Sequence, residues 1–65
     1  MKILDKILLQ LKDSQWHNFD EINKCVNFPS EKLNVLLHFL EKQSFIIMNN
    51  GKLKITNLGL KLLFL

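Results

Sequence analysis

The chain has 65 residues, of which 48% are hydrophobic and 23% charged, and nine Lys against six Asp and Glu give a formal net charge of +3. This length holds one small domain and leaves little room for an enzyme's separate substrate-binding and catalytic parts. The single cysteine, Cys25, excludes an internal disulfide and a four-thiolate zinc site. We therefore expect one domain over residues 1–65, a reducing cytoplasmic setting and a binding role.

We expect neither a signal peptide nor a membrane-spanning helix in this sequence. Asp5 and Lys6 stand where a signal peptide has its apolar run, and no stretch approaches the roughly 20 apolar residues of a spanning helix. We therefore expect no membrane partner.

The first predicted element is a helix from Lys2 to Lys12, which Asp13-Ser14-Gln15 ends. Its apolar residues recur at helical spacing on one side, and they are Ile3, Leu4, Ile7, Leu8 and Leu11. Trp16-His17 then forms a short extended link, with the indole of Trp16 expected in the core.

Two further helices are predicted after this link. Asn18 stands three residues before Glu21, which is typical of a capping box, and the second helix runs from Phe19 to Cys25. The third helix begins at Pro29 or Ser30 and ends near Lys42. The inward residues of the two helices are Phe19, Ile22 and Val26, followed by Leu33, Leu36, Leu37 and Leu40.

A β-hairpin follows the third helix. Asn50-Gly51 lies between two apolar runs and predicts a two-residue type I′ turn. This turn sets a register in which Ile46 faces Ile55, with Ile46, Met48, Leu53 and Ile55 inward and Ile47, Lys52 and Lys54 outward. Thr56 is expected to cap a last short helix over residues 57–63.

This order of elements resembles a winged helix-turn-helix domain. Asp20-Glu21-Ile22 resembles the start of the family's second helix, and Leu33, Leu37 and Leu40 match the spacing of its third. Phe45-Ile46-Ile47 resembles the beginning of the wing, with Ser44 where Gly is usual, and residues 54–59 resemble its exit, with Ile55 for Leu. The chain looks most similar to small archaeal winged helix proteins of the predicted transcription-regulator type. The resemblance implies an α+β fold with a three-helix core, a two-stranded β-hairpin wing and a short C-terminal helix.

The resemblance also implies a function. In the family, the third helix enters the major groove of DNA and the wing touches the backbone or minor groove. We therefore expect a DNA-binding protein, acting on double-stranded DNA as a small transcriptional regulator or chromatin-associated factor, with a nucleoid location and a homodimeric state. The residues that match the family's DNA-contacting positions are Lys24, Ser30, Lys32, Asn34, His38, Asn49, Asn50, Lys52 and Lys54.

A second function stays open, in which the domain binds protein and does not read DNA sequence. The chain has no Arg, and Lys32 and Lys42 on the third helix are balanced by Glu31 and Glu41. The C-terminus is also more apolar than one short helix needs, which favours a dimer contact. The residues expected at a protein interface are Val35, Phe39, Leu62, Phe64 and Leu65.

The remaining reactive residue types suggest no chemistry. His17 and His38 are expected at the surface without neighbouring ligands, and Cys25 is expected to be half-buried. Asp20 and Glu21 diverge on a helix, so they do not form a catalytic pair. We expect no catalytic residue, cofactor, metal or small-molecule substrate.

Overall fold

The computed structural model describes residues 2–64, with side chains from Ile3 onward. Over this range the fold is α+β, with four helices and a three-stranded antiparallel sheet. The elements in chain order are α1 (Lys2–Gln10), β1 (His17–Asn18), α2 (Phe19–Val26), α3 (Ser30–Lys42), β2 (Ile46–Asn49), β3 (Lys52–Ile55) and α4 (Asn57–Leu63). The predicted helices are all present, although α1 ends two residues early and α2 extends one residue further than predicted.

One apolar core joins the helices to one face of the sheet. The predicted apolar stripes supply it, and the half-buried Phe19, Leu36 and Met48 pack against its edge. A fully buried Leu or Ile contributes about 1.5–3 kcal/mol, so these residues provide most of the stability of a small chain. The buried residues are Ile7, Leu8, Leu11, Ile22, Val26, Leu33, Leu37, Leu40, Ile46, Leu53 and Ile55.

The hairpin has the predicted register. Ile46 faces Ile55, Ile47 faces Lys54, Met48 faces Leu53 and Asn49 faces Lys52. The turn residues Asn50 and Gly51 have φ angles of 51° and 76°, and a type I′ turn requires positive φ at both positions. The Asn-Gly pair therefore determines which side chains of the hairpin enter the core.

The predicted two-stranded hairpin is present, but the extended link after α1 also pairs with it and forms a third strand that was not predicted. In β1, His17 pairs with Leu53 and Asn18 with Lys52, which gives the strand order β1-β3-β2. The Phe19 amide extends this contact by donating to the Gly51 carbonyl at 3.1 Å. A two-residue strand is too short to show the alternation by which strands are recognised in sequence.

The caps of α2 and α4 differ from each other. Thr56 caps α4 as predicted, since its hydroxyl accepts a hydrogen bond from the Gly59 amide at 3.0 Å, and it also donates to the Ser44 carbonyl at 2.6 Å. The capping box predicted for α2 is wrong. The Asn18 side chain makes no capping hydrogen bond, and Glu21 binds His17 instead.

None of the helices described in residues 2–64 is both long enough and apolar enough to cross a bilayer.

Candidate nucleic-acid interface

The outward side of α3 presents a line of polar residues. Ser30, Asn34 and His38 are four residues apart and all exposed, so they lie along one face of the helix. His38 Nδ1 lies 2.8 Å from the Asn34 carbonyl oxygen, which requires Nδ1 to carry the proton. This bond uses neither His38 Nε2 nor the exposed side-chain amide of Asn34, so both groups can bind a ligand.

An apolar line runs beside the polar one on the same helix. Val35 is 69% exposed and Phe39 is 48% exposed, as their outward placement predicted. Val35 also lines a shallow groove of about 300 Å³ with Phe28, Lys32 and Leu36. The exposed surface of α3 therefore carries a polar line and a shorter apolar line side by side.

The hairpin presents its polar residues as predicted. Asn49, Asn50 and Lys52 are exposed, while Lys54 is half-buried because its Nζ lies over the Trp16 ring, 5.7 Å from the ring centroid. The expectation that Trp16 fills the core is wrong, since its side chain is 44% exposed. The core is already filled by branched aliphatic residues. Successive side chains of an extended segment point to opposite faces of the sheet, so Trp16 lies on the face opposite to that of His17, which pairs with the buried Leu53.

The structure brings one predicted helix lysine close to the hairpin tip. Lys24 and Gly51 line the same open cleft of about 670 Å³, which also contains Asp20, Glu21 and Cys25. Lys32 lies instead in the apolar groove of α3. Cys25 is exposed and not half-buried as expected, because the inward positions of α2 are taken by Ile22 and Val26.

Among the described residues, the predicted DNA-binding lysines are not engaged in ion pairs. Within the described part of the chain, both ion pairs involve His17. Lys24, Lys32, Lys52 and Lys54 therefore have no carboxylate partner there. A lysine already paired with a carboxylate would have to break that pair to bind phosphate.

The C-terminal helix presents apolar side chains to solvent. Phe64 is 73% exposed, and Leu58 and Leu62 of α4 are exposed as well. Leu9 is exposed on α1, the helix against which α4 packs. Leu65, the last residue predicted at a protein interface, lies outside the described residues.

A charged cluster around His17 was missed in the sequence. His17 Nε2 lies 2.8 Å from Asp13 Oδ1, and Nδ1 lies 2.5 Å from Glu21 Oε2. The hydrogen bond to Asp13, followed by the one to Glu21, raises the pKa of His17 above its ordinary value. The bond to His17 lowers the pKa of Asp13 in turn. The expectation that His17 lies at the surface without neighbouring ligands is wrong, because the ring is half-buried between two carboxylates. The only signal in the sequence was an acidic residue four positions away on each side.

The cluster does not amount to a metal site. Among residues 2–64, no group of three or more His, Cys, Asp or Glu side chains is arranged to hold a metal ion. Both ring nitrogens of His17 are already hydrogen-bonded to carboxylates.

Comparison of the chain with protein-family models, with curated proteins and with solved structures gives no match.

Proposed function

We propose that the protein is a winged helix-turn-helix protein that binds double-stranded DNA, as a small transcriptional regulator or chromatin-associated factor. The order of α1, α2, α3 and the β2–β3 hairpin supports this class. Ser44 adds support, because the position at which the family usually has Gly adopts a φ angle of 66°. This left-handed conformation is the one for which Gly is the usual residue.

The observation that carries the proposal is the set of unpaired lysines on α2, α3 and the hairpin. Affinity for DNA comes largely from cations that replace counterions at phosphates, so a lysine without a carboxylate partner contributes most. Within the described residues every lysine meets this condition. Lys24, Lys32, Lys52 and Lys54 are the ones at positions that match the family's DNA contacts, on α2, α3 and the hairpin. They bind the backbone and thereby position the protein on the duplex.

Base reading is assigned to the polar line of α3. Asn34 has an exposed amide that forms a bidentate pair with adenine in the major groove. Ser30 precedes it by one turn and His38 follows by one turn, so all three face the same groove. With no Arg in the chain, guanine is read weakly, and the protein is expected to prefer sites rich in A·T.

The first test measures the affinity for a 20-base-pair duplex of generic sequence at several salt concentrations. If the proposal holds, the double variant Lys52→Ala/Lys54→Ala flattens the slope of log affinity against log salt by about two. The matched control is Lys12→Ala/Lys61→Ala, which removes the same charge from positions outside the interface and leaves the slope unchanged. A slope that both double variants change equally would show only a general charge effect and would remove the hairpin from the interface.

A second candidate function is binding to another protein through α3. The exposed Val35 and Phe39, together with the apolar groove beside them, favour it. Such exposed apolar groups are more typical of protein contacts than of DNA contacts. A folded protein that does not bind the duplex at low salt would favour this candidate.

We also propose that the protein is a homodimer, joined through α4 and the residues that follow it. Leu58, Leu62 and Phe64 are exposed there, and a second copy covers them through a two-fold contact. A dimer also presents two α3 helices to one DNA site, which is how many regulators increase their affinity.

A further inference from the structure

The face of the sheet that points away from the core has a defined composition. Cross-strand partners share a face, so the pairing of Asn18 with Lys52 and of Lys52 with Asn49 forms one row across three strands. The second row contains Lys54 and its cross-strand partner Ile47. Trp16 lies beside this row, and its ring lies under the Lys54 ammonium. The outer face therefore consists of Trp16, Asn18, Ile47, Asn49, Lys52 and Lys54.

This face is cationic and polar around one exposed aromatic ring. None of its six residues is acidic, although the chain has six Asp and Glu. Two of the acidic residues nearest in sequence, Asp13 and Glu21, are bound to His17, which lies on the core side of β1 opposite Leu53. The charge on the outer face thus complements a polyanion.

Trp16 is unusual on such a surface, because a large indole normally lies in the core or against a partner. Its side chain is 44% exposed, and the structure gives it a cation as its neighbour. A flat aromatic surface beside two lysines has the elements by which proteins hold unpaired bases: an aromatic platform for the base and cations for the flanking phosphates.

We propose that the outer face of the sheet binds single-stranded DNA, with one unpaired base stacked on Trp16. Lys52 and Lys54 lie two residues apart on β3, a separation of about 7 Å, and they contact the phosphates on either side of that base. Asn18 and Asn49 flank Lys52 and offer amide groups to the neighbouring base edges.

This site is distinct from the polar line of α3, which reads paired bases in a groove. A base within a duplex has both faces covered by its neighbours, so it does not stack on an indole until it is unpaired. The choice of DNA over RNA rests on the proposed function, whereas the stacking and phosphate contacts rest on the sheet alone.

Trp16 is the only tryptophan in the chain, so its fluorescence reports directly on this site. The test titrates the protein with a twelve-nucleotide oligothymidylate at low salt and follows the emission. We expect saturable quenching, together with weak or no quenching by an abasic oligonucleotide of equal length and charge. Equal quenching by both oligonucleotides, or none by either, would overturn the proposal.

Variants separate stacking from charge. Measured by the anisotropy of a labelled oligothymidylate, Trp16→Leu is expected to weaken binding about 5- to 150-fold, while Trp16→Phe retains most of it. Lys54→Gln weakens binding and Lys61→Gln, on α4, does not. Because Trp16 is outside the buried core, thermal melting should show that Trp16→Leu remains folded. A folded Trp16→Leu protein that binds as tightly as the wild type would refute the assignment.

The duplex titration described above distinguishes this inference from the proposed function. If the protein binds the duplex but the oligothymidylate does not quench Trp16 fluorescence, the inference is overturned and the proposed function stands. Quenching by the single strand without duplex binding supports the inference and removes the duplex function. Tighter binding and stronger quenching by the matching oligouridylate would overturn the assignment to DNA.

Discussion

At the scale of single residues, Gly59 shows how closely α4 approaches the rest of the fold. A Cβ atom added there would lie 2.3 Å from the Phe45 carbonyl oxygen and 2.7 Å from Ile55 Cγ1. The same Phe45 carbonyl accepts a hydrogen bond from the Thr56 amide at 3.0 Å. Gly59 is thus required by space and not by backbone conformation.

We predict that Gly59→Ala destabilises the protein by more than about 2 kcal/mol, because the new methyl group must displace backbone. In an unconstrained helix the same change would stabilise it by up to about 1 kcal/mol. Urea unfolding measures the difference. Gly51→Ala is the matched control: it has no steric conflict but a φ angle of 76°, so it should cost only about 1 kcal/mol. If the two variants are equally stable, α4 packs less closely than the structure indicates.

Ser44 presents the opposite case, a side chain where Gly would fit better. Its φ angle is 66°. Its hydrogen bonds in the structure are made by the backbone: the amide donates to the Glu41 carbonyl, and the carbonyl accepts from the Thr56 hydroxyl. We predict that Ser44→Gly stabilises the protein by about 0.5–1 kcal/mol, since strain is relieved and no backbone bond is lost. Ser30→Gly, at the first residue of α3, is the control in the same urea experiment and should give no gain.

At the scale of elements, His17 connects three parts of the chain. It lies in β1, and its ring binds Asp13 from the turn after α1 and Glu21 from the first turn of α2. Its side chain is only 12% exposed, so these bonds are partly shielded from water. The protonation of one imidazole therefore affects how β1 is held between the two helices.

This arrangement predicts a pH-dependent stability. The pKa of His17 is raised on folding, so its contribution is complete below about pH 6.5 and is lost as the pH rises through the folded-state pKa. The pKa of Asp13 is lowered, so its contribution is present above about pH 3.8 and is lost as the pH falls through the folded-state pKa. The cluster should stabilise the fold most between these limits.

Urea unfolding of the wild type at pH 5.5 and pH 8.5 measures this effect. We expect a lower free energy of unfolding at pH 8.5, and a smaller difference in His17→Gln. His38→Gln should retain the wild-type difference, because His38 contacts a backbone carbonyl and no carboxylate. If the pH dependence of stability persists in His17→Gln and disappears in His38→Gln, it comes from His38 and our assignment to His17 is wrong.

The elements that the sequence predicted well are those with a strong local signal. The helices follow from apolar spacing, and the hairpin register follows from Asn50-Gly51. Strand β1 was missed for two reasons. Its partner β3 is distant in sequence, and the two residues of β1 are too few to show the alternation of apolar and polar side chains that marks a strand. The exposure of Trp16 was missed because residue type describes average burial, whereas the side of the sheet on which the ring lies depends on that unrecognised strand. The His17 cluster depends on the same strand.

At the scale of the whole molecule, most of the exposed large apolar residues lie on α3 and along α4 to Phe64, with Leu9, Trp16 and Ile47 exposed elsewhere. A 65-residue chain buries a smaller share of its apolar surface than a larger domain does, and the proposed association with a second copy would compensate for this. Leu9 is exposed on α1, the helix against which α4 packs, so the proposed two-fold contact could extend to α1.

We predict that the wild type sediments as a dimer and that Phe64→Glu sediments as a monomer, because a carboxylate is costly to bury in an apolar contact. Leu62→Glu should have the same effect. Asn57→Glu, an equal change of charge at the start of α4, is the control and should remain a dimer. A Phe64→Glu protein that keeps the wild-type mass would place the contact elsewhere, and the α3 groove would be the next surface to examine.

The strand order β1-β3-β2 has a consequence for the sequence of folding events. The β2–β3 hairpin closes a two-residue turn, and such hairpins form within about 1–10 μs. Strand β1 must instead close a loop that spans α2, α3 and β2, at a higher entropic cost and for only two paired residues. We therefore expect strand β1 to join the sheet last and to detach first, so that the Phe19 amide exchanges with solvent deuterium before the amides of the hairpin. The surface around Trp16 then exists only while this final pairing holds, and its occupation by a ligand would slow that exchange.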